Sequence, residues 1–276
     1  MIAHKGMNCH VAGLVNIADK LGVNTPALFH NLWSETCFTD SRSYNLYTSK
    51  RFYENLSSSG IALETQTDTK SFGEILTMLP QGDFLLLGMD TYYIPWHPVY
   101  GYFHGPHFVA GKKISSGVFT CLDPIYGNPF GILTQENILS GAFELDRLTR
   151  TTASFQDTSY GAEASAILQS KALPALIHRI NFCRQNKQEL YSLRKYSSAL
   201  INNRLMYKKF LEACLPPCKL YDSLFDREFF KKWEAVQNGL IKISIVPDFH
   251  TAAEEVCSLI NSVFEEELRF AEILLC

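Results

Sequence analysis

Gly105-Pro106-His107-Phe108-Val109-Ala110-Gly111-Lys112-Lys113-Ile114-Ser115-Ser116-Gly117-Val118-Phe119-Thr120-Cys121-Leu122-Asp123-Pro124 is the stretch on which the fold turns. Its two apolar runs, His107 to Gly111 and Val118 to Asp123, are rich in β-branched and aromatic residues, with turn material from Lys112 to Gly117 between them. The pattern predicts a β-hairpin. Residues facing each other across a hairpin have numbers with a constant sum; a turn centred on Ser115 makes that sum 230 and sets His107 opposite Asp123. Their Cβ atoms would then lie about 5 Å apart on one face, within reach for an imidazole to donate to a carboxylate. A slip of one residue would undo the pairing.

Upstream, Val11, Leu14, Val15, Ala18 and Leu21 recur at three- and four-residue steps and stop at Gly22, which reads as an amphipathic helix. Cys9 stands at its N-terminal edge, where free amide N–H groups and the positive dipole end favour a thiolate and an oxyanion. A thiol nucleophile needs a base, and the base an orienting partner; His107 and Asp123 supply both. The plainer reading of Cys9 is a small buried apolar residue. Gly82 to Gly88 is an apolar run bounded by turn residues, a buried strand that Thr91 to Ile94 continues or neighbours.

The texture changes between residues 150 and 162, which divides the chain into an α+β part, 1–150, and a helical part, 160–276. Helical spacing in the second part covers about 162–183, 187–214, 222–238 and 251–274. From Lys171 to Lys209 nine Lys or Arg accompany one acid, Glu189, whereas the last helix carries six Glu against Arg269. The basic run is either a docking face or pairs with that helix.

Of 276 residues, 46% are apolar, and 25 Lys and Arg against 28 Asp and Glu leave a net charge of -3, which argues against nucleic acid as a partner. The longest apolar stretch, Phe84 to Met89, is far short of a membrane span. The first residues lack the pattern of a secretory leader, so the expected location is the cytoplasm, with the eight cysteines reduced. No metal is expected. Cys214 and Cys218 have no second ligand pair, and His97, His104 and His107 match no common ligand spacing.

Four stretches carry a family resemblance: Asn8-Cys9-His10-Val11-Ala12, Trp33-Ser34-Glu35, Asp90-Thr91-Tyr92-Tyr93-Ile94-Pro95-Trp96, and Gly105-Pro106-His107-Phe108-Val109 leading to Leu122-Asp123-Pro124. In order and spacing they resemble the BtrH N-terminal-domain family, the butirosin-biosynthesis protein H-like acyltransferases, within the papain-like cysteine peptidase superfamily. The resemblance covers roughly residues 4–145. It implies a papain-like fold, with the helix carrying Cys9 packed on an antiparallel sheet, followed by a helical bundle. The implied chemistry is acyl transfer: Cys9 takes an acyl or peptidyl group from a carrier-protein thioester, and an amine resolves the acyl-enzyme as an amide in natural-product, nonribosomal-peptide-like biosynthesis. His107 would be the base and then the acid, and Asp123 the orienter.

The implied partners are an acyl or peptidyl carrier protein and a small amine; no cofactor is bound, the substrate arriving on a phosphopantetheine arm. Cys9 N–H with Asn8 or His4 are the oxyanion-hole candidates. Tyr92, Tyr93, Trp96 and Tyr100 would wall the substrate pocket, with Glu35 lining it or closing a turn. Where the family leads one to expect glycines after Glu35, this chain reads Thr36-Cys37-Phe38-Thr39-Asp40-Ser41, which leaves the acyl group open. Two rivals stand beside this reading: a peptidase or amidase in which water resolves the acyl-enzyme, and a silent module that binds carrier proteins. The oligomeric state is not legible.

Overall fold

Asn8 opens the first helix. In the computed structural model its side-chain oxygen accepts the N–H of Val11 at 2.8 Å, the bond of an N-cap, and α1 runs Cys9–Lys20. At the far end Gly22, at φ 78°, takes a left-handed conformation that a side chain would disfavour; its N–H returns to Asp19 and that of Val23 to Ala18. The solvent face expected of an amphipathic helix is missing, because every residue from His10 to Ala18 is buried. Asn16 tolerates this by donating to the Ala12 carbonyl at 2.8 Å.

The structure describes residues 7–35, 38–40, 47–126, 131–152, 160–170, 172–183, 188–214 and 225–275. After α1 the elements are β1 (Phe38–Asp40), β2 (Tyr47–Ser49), α2 (Lys50–Ser58), β3 (Ile61–Gln66), α3 (Phe72–Met78), β4 (Phe84–Asp90), β5 (Pro106–Ser115), β6 (Val118–Leu122), β7 (Gly131–Thr134), α4 (Gln135–Gly141) and β8 (Ala142–Arg150). Among the described residues five helices follow: α5 (Tyr160–Leu168), α6 (Ala172–Phe182), α7 (Gln188–Cys214), α8 (Arg227–Ile245) and α9 (Phe249–Leu275). Among the described residues no helix is long and apolar enough to cross a membrane. The chain forms two compact units, Met1–Leu28 with Leu56–Phe155, and Phe29–Asn55 with Gln156–Cys276. The division into 1–150 and 160–276 therefore needs correcting: residues 29–55 belong with the helices.

In the first unit β3–β8–β4–β5–β6–β7 form one antiparallel sheet. Leu85, Leu87 and Met89 of β4, Val109 of β5 and Phe119 and Cys121 of β6 build its core with Phe72, Leu76 and Ile138 from α3 and α4. Helix α1 lies against β4 and β5. Thr91–Tyr93 is a single 3-10 turn, and so does not extend β4. Buried Lys113 on β5 donates to the carbonyls of Leu76, Thr77 and Leu79, at 2.7, 3.0 and 2.7 Å, and closes the C-terminal end of α3.

The hairpin forms with a different register. Ala110 pairs with Leu122 and Lys113 with Phe119, so the sum is 232; a bulge at Ile114 lets the two-residue connection Ser116-Gly117 follow the Ser115–Val118 pair. A turn centred on Ser115 overlooks that bulge. Extended by one residue, the ladder sets Asp123 opposite Val109, with His107 its diagonal neighbour on the same face.

The second unit holds β1, β2 and helices α5 to α9. The run expected as one helix over 162–183 is two, broken at Gln169-Ser170. Trp33-Ser34-Glu35 is its staple: the Ser34 N–H donates to Glu163 of α5 at 2.9 Å, the Trp33 ring stacks on Tyr207, and Glu35 accepts the Arg51 N–H at the start of α2 at 2.9 Å. Arg204 of the basic run donates bidentately to Glu267 of the last helix, buried, with its Nη2 at 2.8 Å from Oε2, and lies over Trp233. Arg179 faces Glu189 and Lys208 faces Glu212; Lys171, Arg184 and Lys187 lie outside the described residues.

Burial pushes the Glu163 carboxyl up to about 8, against the pull of the Ser34 and Trp33 N–H groups. A carboxyl that must ionise in a buried site loses stability as pH climbs from its unfolded 4.5 through 8. Glu163→Gln is therefore expected to match the wild-type Tm near pH 4 and exceed it at pH 9. Parallel Tm curves for the two proteins would rule this out.

Candidate active site

The loop between β4 and β5 is tied down before it delivers His107. Thr91 N–H donates to the Gly105 carbonyl at 2.8 Å and its hydroxyl to the Phe103 carbonyl at 2.9 Å. Asp90 accepts the Tyr92 and Gly105 N–H groups, each at 3.1 Å, and His104 Nδ1 lies 2.6 Å from it. Burial opposes the Asp90 charge, but His104 and these N–H groups outweigh it and hold its carboxyl below the usual range.

His107, second residue of β5, follows at once. Its Nε2 lies 2.8 Å from Asp123 Oδ2, and the Cys9 thiol is within hydrogen-bond reach of the same imidazole. With Nε2 committed to Asp123, Nδ1 is left to serve Cys9. His107 is 5% exposed and Asp123 fully buried, so this charge pairing is screened little by water. Burial disfavours the imidazolium; the Asp123 carboxylate and Cys9 overcome it and raise His107 to about 9. For Asp123 burial likewise works against the charge, and His107, the Ile125 N–H and Trp96 overcome it to hold the carboxyl low.

Every partner of Asp123 is a donor. Oδ2 accepts from His107 and, at 3.2 Å, from Trp96 Nε1; Oδ1 accepts the backbone N–H groups of Ile125 and Tyr126 at 3.0 and 3.3 Å. Asp123 follows immediately after β6, and the turn it caps sends Tyr126 back toward the imidazoles. The ring of His97 meets that of His107 edge-on at 5.1 Å, and Tyr126 Oη lies 3.4 Å from His97 Nε2. Because His97 Nδ1 accepts the Val99 N–H, its proton belongs on Nε2; burial and then the His107 charge lower its affinity for a second one.

Cys9, His107 and Asp123 thus meet in one cluster, and Trp96 joins it as a hydrogen-bond donor to Asp123, a role beyond that of a pocket wall. Asn8 adjoins the cluster with its carboxamide oxygen spent on the helix cap; His4 lies outside the described residues. The remaining pocket candidates do not converge on His107. Tyr92 stacks on His104 at 4.6 Å, Tyr93 packs against the sheet core, and Tyr100 is 46% exposed. Glu35 is a correction: it is buried in the second unit, where it caps α2. His97, His104 and His107 do not converge as ligands; among the described residues the one metal-type group is His10, Glu144 and Asp146.

Sequence reasoning weighed His97 with His107 only as a metal ligand and did not name Tyr126, three residues after Asp123, as a neighbour of the base. It also missed why residue 131 is glycine: a Cβ there would stand 2.1 Å from Trp96 Cζ3. Gly131→Ala is expected to push the indole off Asp123 and cost about 1–3 kcal/mol, as over-packing does. Thermal unfolding measures this, and an unchanged Tm would mean the ring yields freely. A scan against protein-family models finds no match for this chain, and a search of curated proteins finds none.

Proposed function

We propose that the chain is a cysteine-dependent acyltransferase of papain-like architecture, taking an acyl group from a carrier-protein thioester and passing it to an amine. The observation that carries this reading is the single imidazole held between the Cys9 thiol and the buried Asp123 carboxylate. In the first half-reaction the Cys9 sulfur attacks the thioester carbonyl, the C–S bond to the pantetheine arm breaks, and its thiolate leaves. Cys9 N–H, the first of α1, lacks a helical partner and faces the developing oxyanion. In the second, the amine attacks, His107 takes its proton, and the Cys9–acyl bond breaks as the amide forms.

The imidazole is suited to both steps. Part of what raises His107 to about 9 comes from Cys9 itself, so acylation removes that part and lowers the imidazole's hold on its proton. A base is released when the amine arrives. The test is a synthetic acyl-pantetheine thioester mixed with the protein, with and without a primary amine, followed by intact mass. A Cys9 adduct that the amine discharges as an amide supports the reading. Free acid as the sole product in the presence of amine would make the protein a hydrolase, and the absence of any adduct would leave the fold as a binding module.

A further inference from the structure

Next to Cys9 on the same helix, His10 points into the sheet, and two carboxylates from one strand meet it. His10 Nε2 lies 3.0 Å from Asp146 Oδ2 and 4.0 Å from Glu144 Oε1. All three residues are buried, at 3%, 0% and 5% exposure, and one ligand atom from each lies within 4.8 Å of the other two. Glu144 and Asp146 are two apart on β8, so the pleat sends both to one face. The other oxygen of Asp146 is fixed by the Thr65 hydroxyl of β3 at 2.6 Å, and the edge of the His10 ring rests on Phe108 at 4.7 Å.

The arrangement is more than a His–Asp pair. Asp146 lies within hydrogen-bond distance of Nε2, and Glu144 places a second carboxylate oxygen 4.0 Å from that same nitrogen. Three ligand-type atoms from two distant segments, one imidazole nitrogen and two carboxylate oxygens, converge on one buried point, which is the donor set of a cation site. Across a tetrahedral zinc ion, neighbouring N and O ligands stand about 3.3–3.5 Å apart, given bonds near 2.0–2.2 Å. The observed 3.0 and 4.0 Å straddle that spacing. Thr65 holds the carboxylate as outer partners of metal ligands do. An imidazole with two carboxylates suits a first-row transition cation better than magnesium or calcium.

We propose that His10, Glu144 and Asp146 form a buried binding site for one divalent transition-metal ion, which clamps the start of α1 to β8. The site is separate from the Cys9–His107–Asp123 cluster and does not depend on what that cluster catalyses. It places a cation where it fixes the helix that presents Cys9, through the adjacent residue.

The test uses the full chain carrying Cys9→Ala, so that the active-site thiol is not a ligand. Zinc is removed by chelation and titrated back by calorimetry and thermal unfolding, with Co2+ as a spectroscopic substitute. One equivalent is expected to bind; at a hundredfold excess over its dissociation constant it should raise Tm by roughly 5–10 °C. The Co2+ complex should lack a thiolate charge-transfer band. Adding Asp146→Asn should abolish the binding. Because that variant risks misfolding, Thr65→Val on the outer strand is the second probe, expected to weaken zinc about ten- to a hundredfold while the fold persists. No binding in the Cys9→Ala protein, a thiolate band, or an affinity untouched by Thr65→Val would each overturn the site and leave a hydrogen-bonded cluster.

Discussion

Cys9→Ala is expected to form no acyl-enzyme at all while unfolding close to the wild-type temperature. In the proposed reaction the sulfur is the group that bonds to the acyl carbon, so its removal takes away the first step. A companion experiment needs no substrate. Limiting iodoacetamide at pH 7, with the label located by peptide mass spectrometry, should mark Cys9 ahead of Cys121, Cys183, Cys214 and Cys257, whose thiols burial pushes up. His107 keeps its proton to about pH 9 and provides the counter-ion beside the attacking sulfur. His107→Ala should therefore slow Cys9 labelling at least tenfold, roughly the value of one close charge. Labelling indifferent to His107, or turnover in Cys9→Ala, would end the proposal.

Asp123→Asn is expected to slow acyl transfer about a thousand- to ten-thousandfold with substrate binding little changed. Many cysteine enzymes use asparagine in this role, so the size of the loss needs a reason. All four hydrogen bonds to Asp123 come from donors, two at each oxygen. Whichever way an asparagine turns, its NH2 faces two N–H groups and one side of the site is lost. Turned toward His107, it also forces the imidazole into the wrong tautomer. A rate within tenfold of wild type would remove Asp123 from the site.

The same pair should write a pH signature on stability. His107 has a folded proton affinity raised from 6.5 to about 9, so its contribution is complete below pH 6.5 and vanishes as pH approaches 9. Asp123 is lowered from 3.8, so its contribution is complete above that value and fails below it. The Tm advantage of wild type over His107→Gln should be flat between these limits and shrink toward pH 9.

Much of this was legible because it is periodic or local. The three- and four-residue steps from Val11 to Leu21 place α1 and Gly22 ends it, whereas the Asn8 cap came from the structure. The pairing of His107 with Asp123 survived a wrong register because the error was two residues, and a sheet repeats its faces every two. An error of one would have sent the carboxylate to the opposite face. What sequence did not disclose depends on partners far along the chain. Residues 29–55 join the second unit, where Glu163 takes the Ser34 N–H across 129 positions, and His10 meets Asp146 across 136. Neither distance leaves a periodic trace. Glu35 looked like a site residue because it belongs to one of the four stretches that carry the resemblance, yet its carboxylate is spent on the first turn of α2.

Lys113 gives the hairpin a built-in clock. Its ammonium is buried with all three N–H bonds committed to carbonyls at the end of α3, those of Leu76, Thr77 and Leu79, so an amine-acylating reagent that modifies surface lysines within seconds must wait for this one. The labelling rate of that single lysine measures how often β5 and α3 part, and β5 is the strand that carries His107. Slow acylation at Lys113 with rapid acylation at exposed Lys50 would show a base held in place by a strand that seldom breathes.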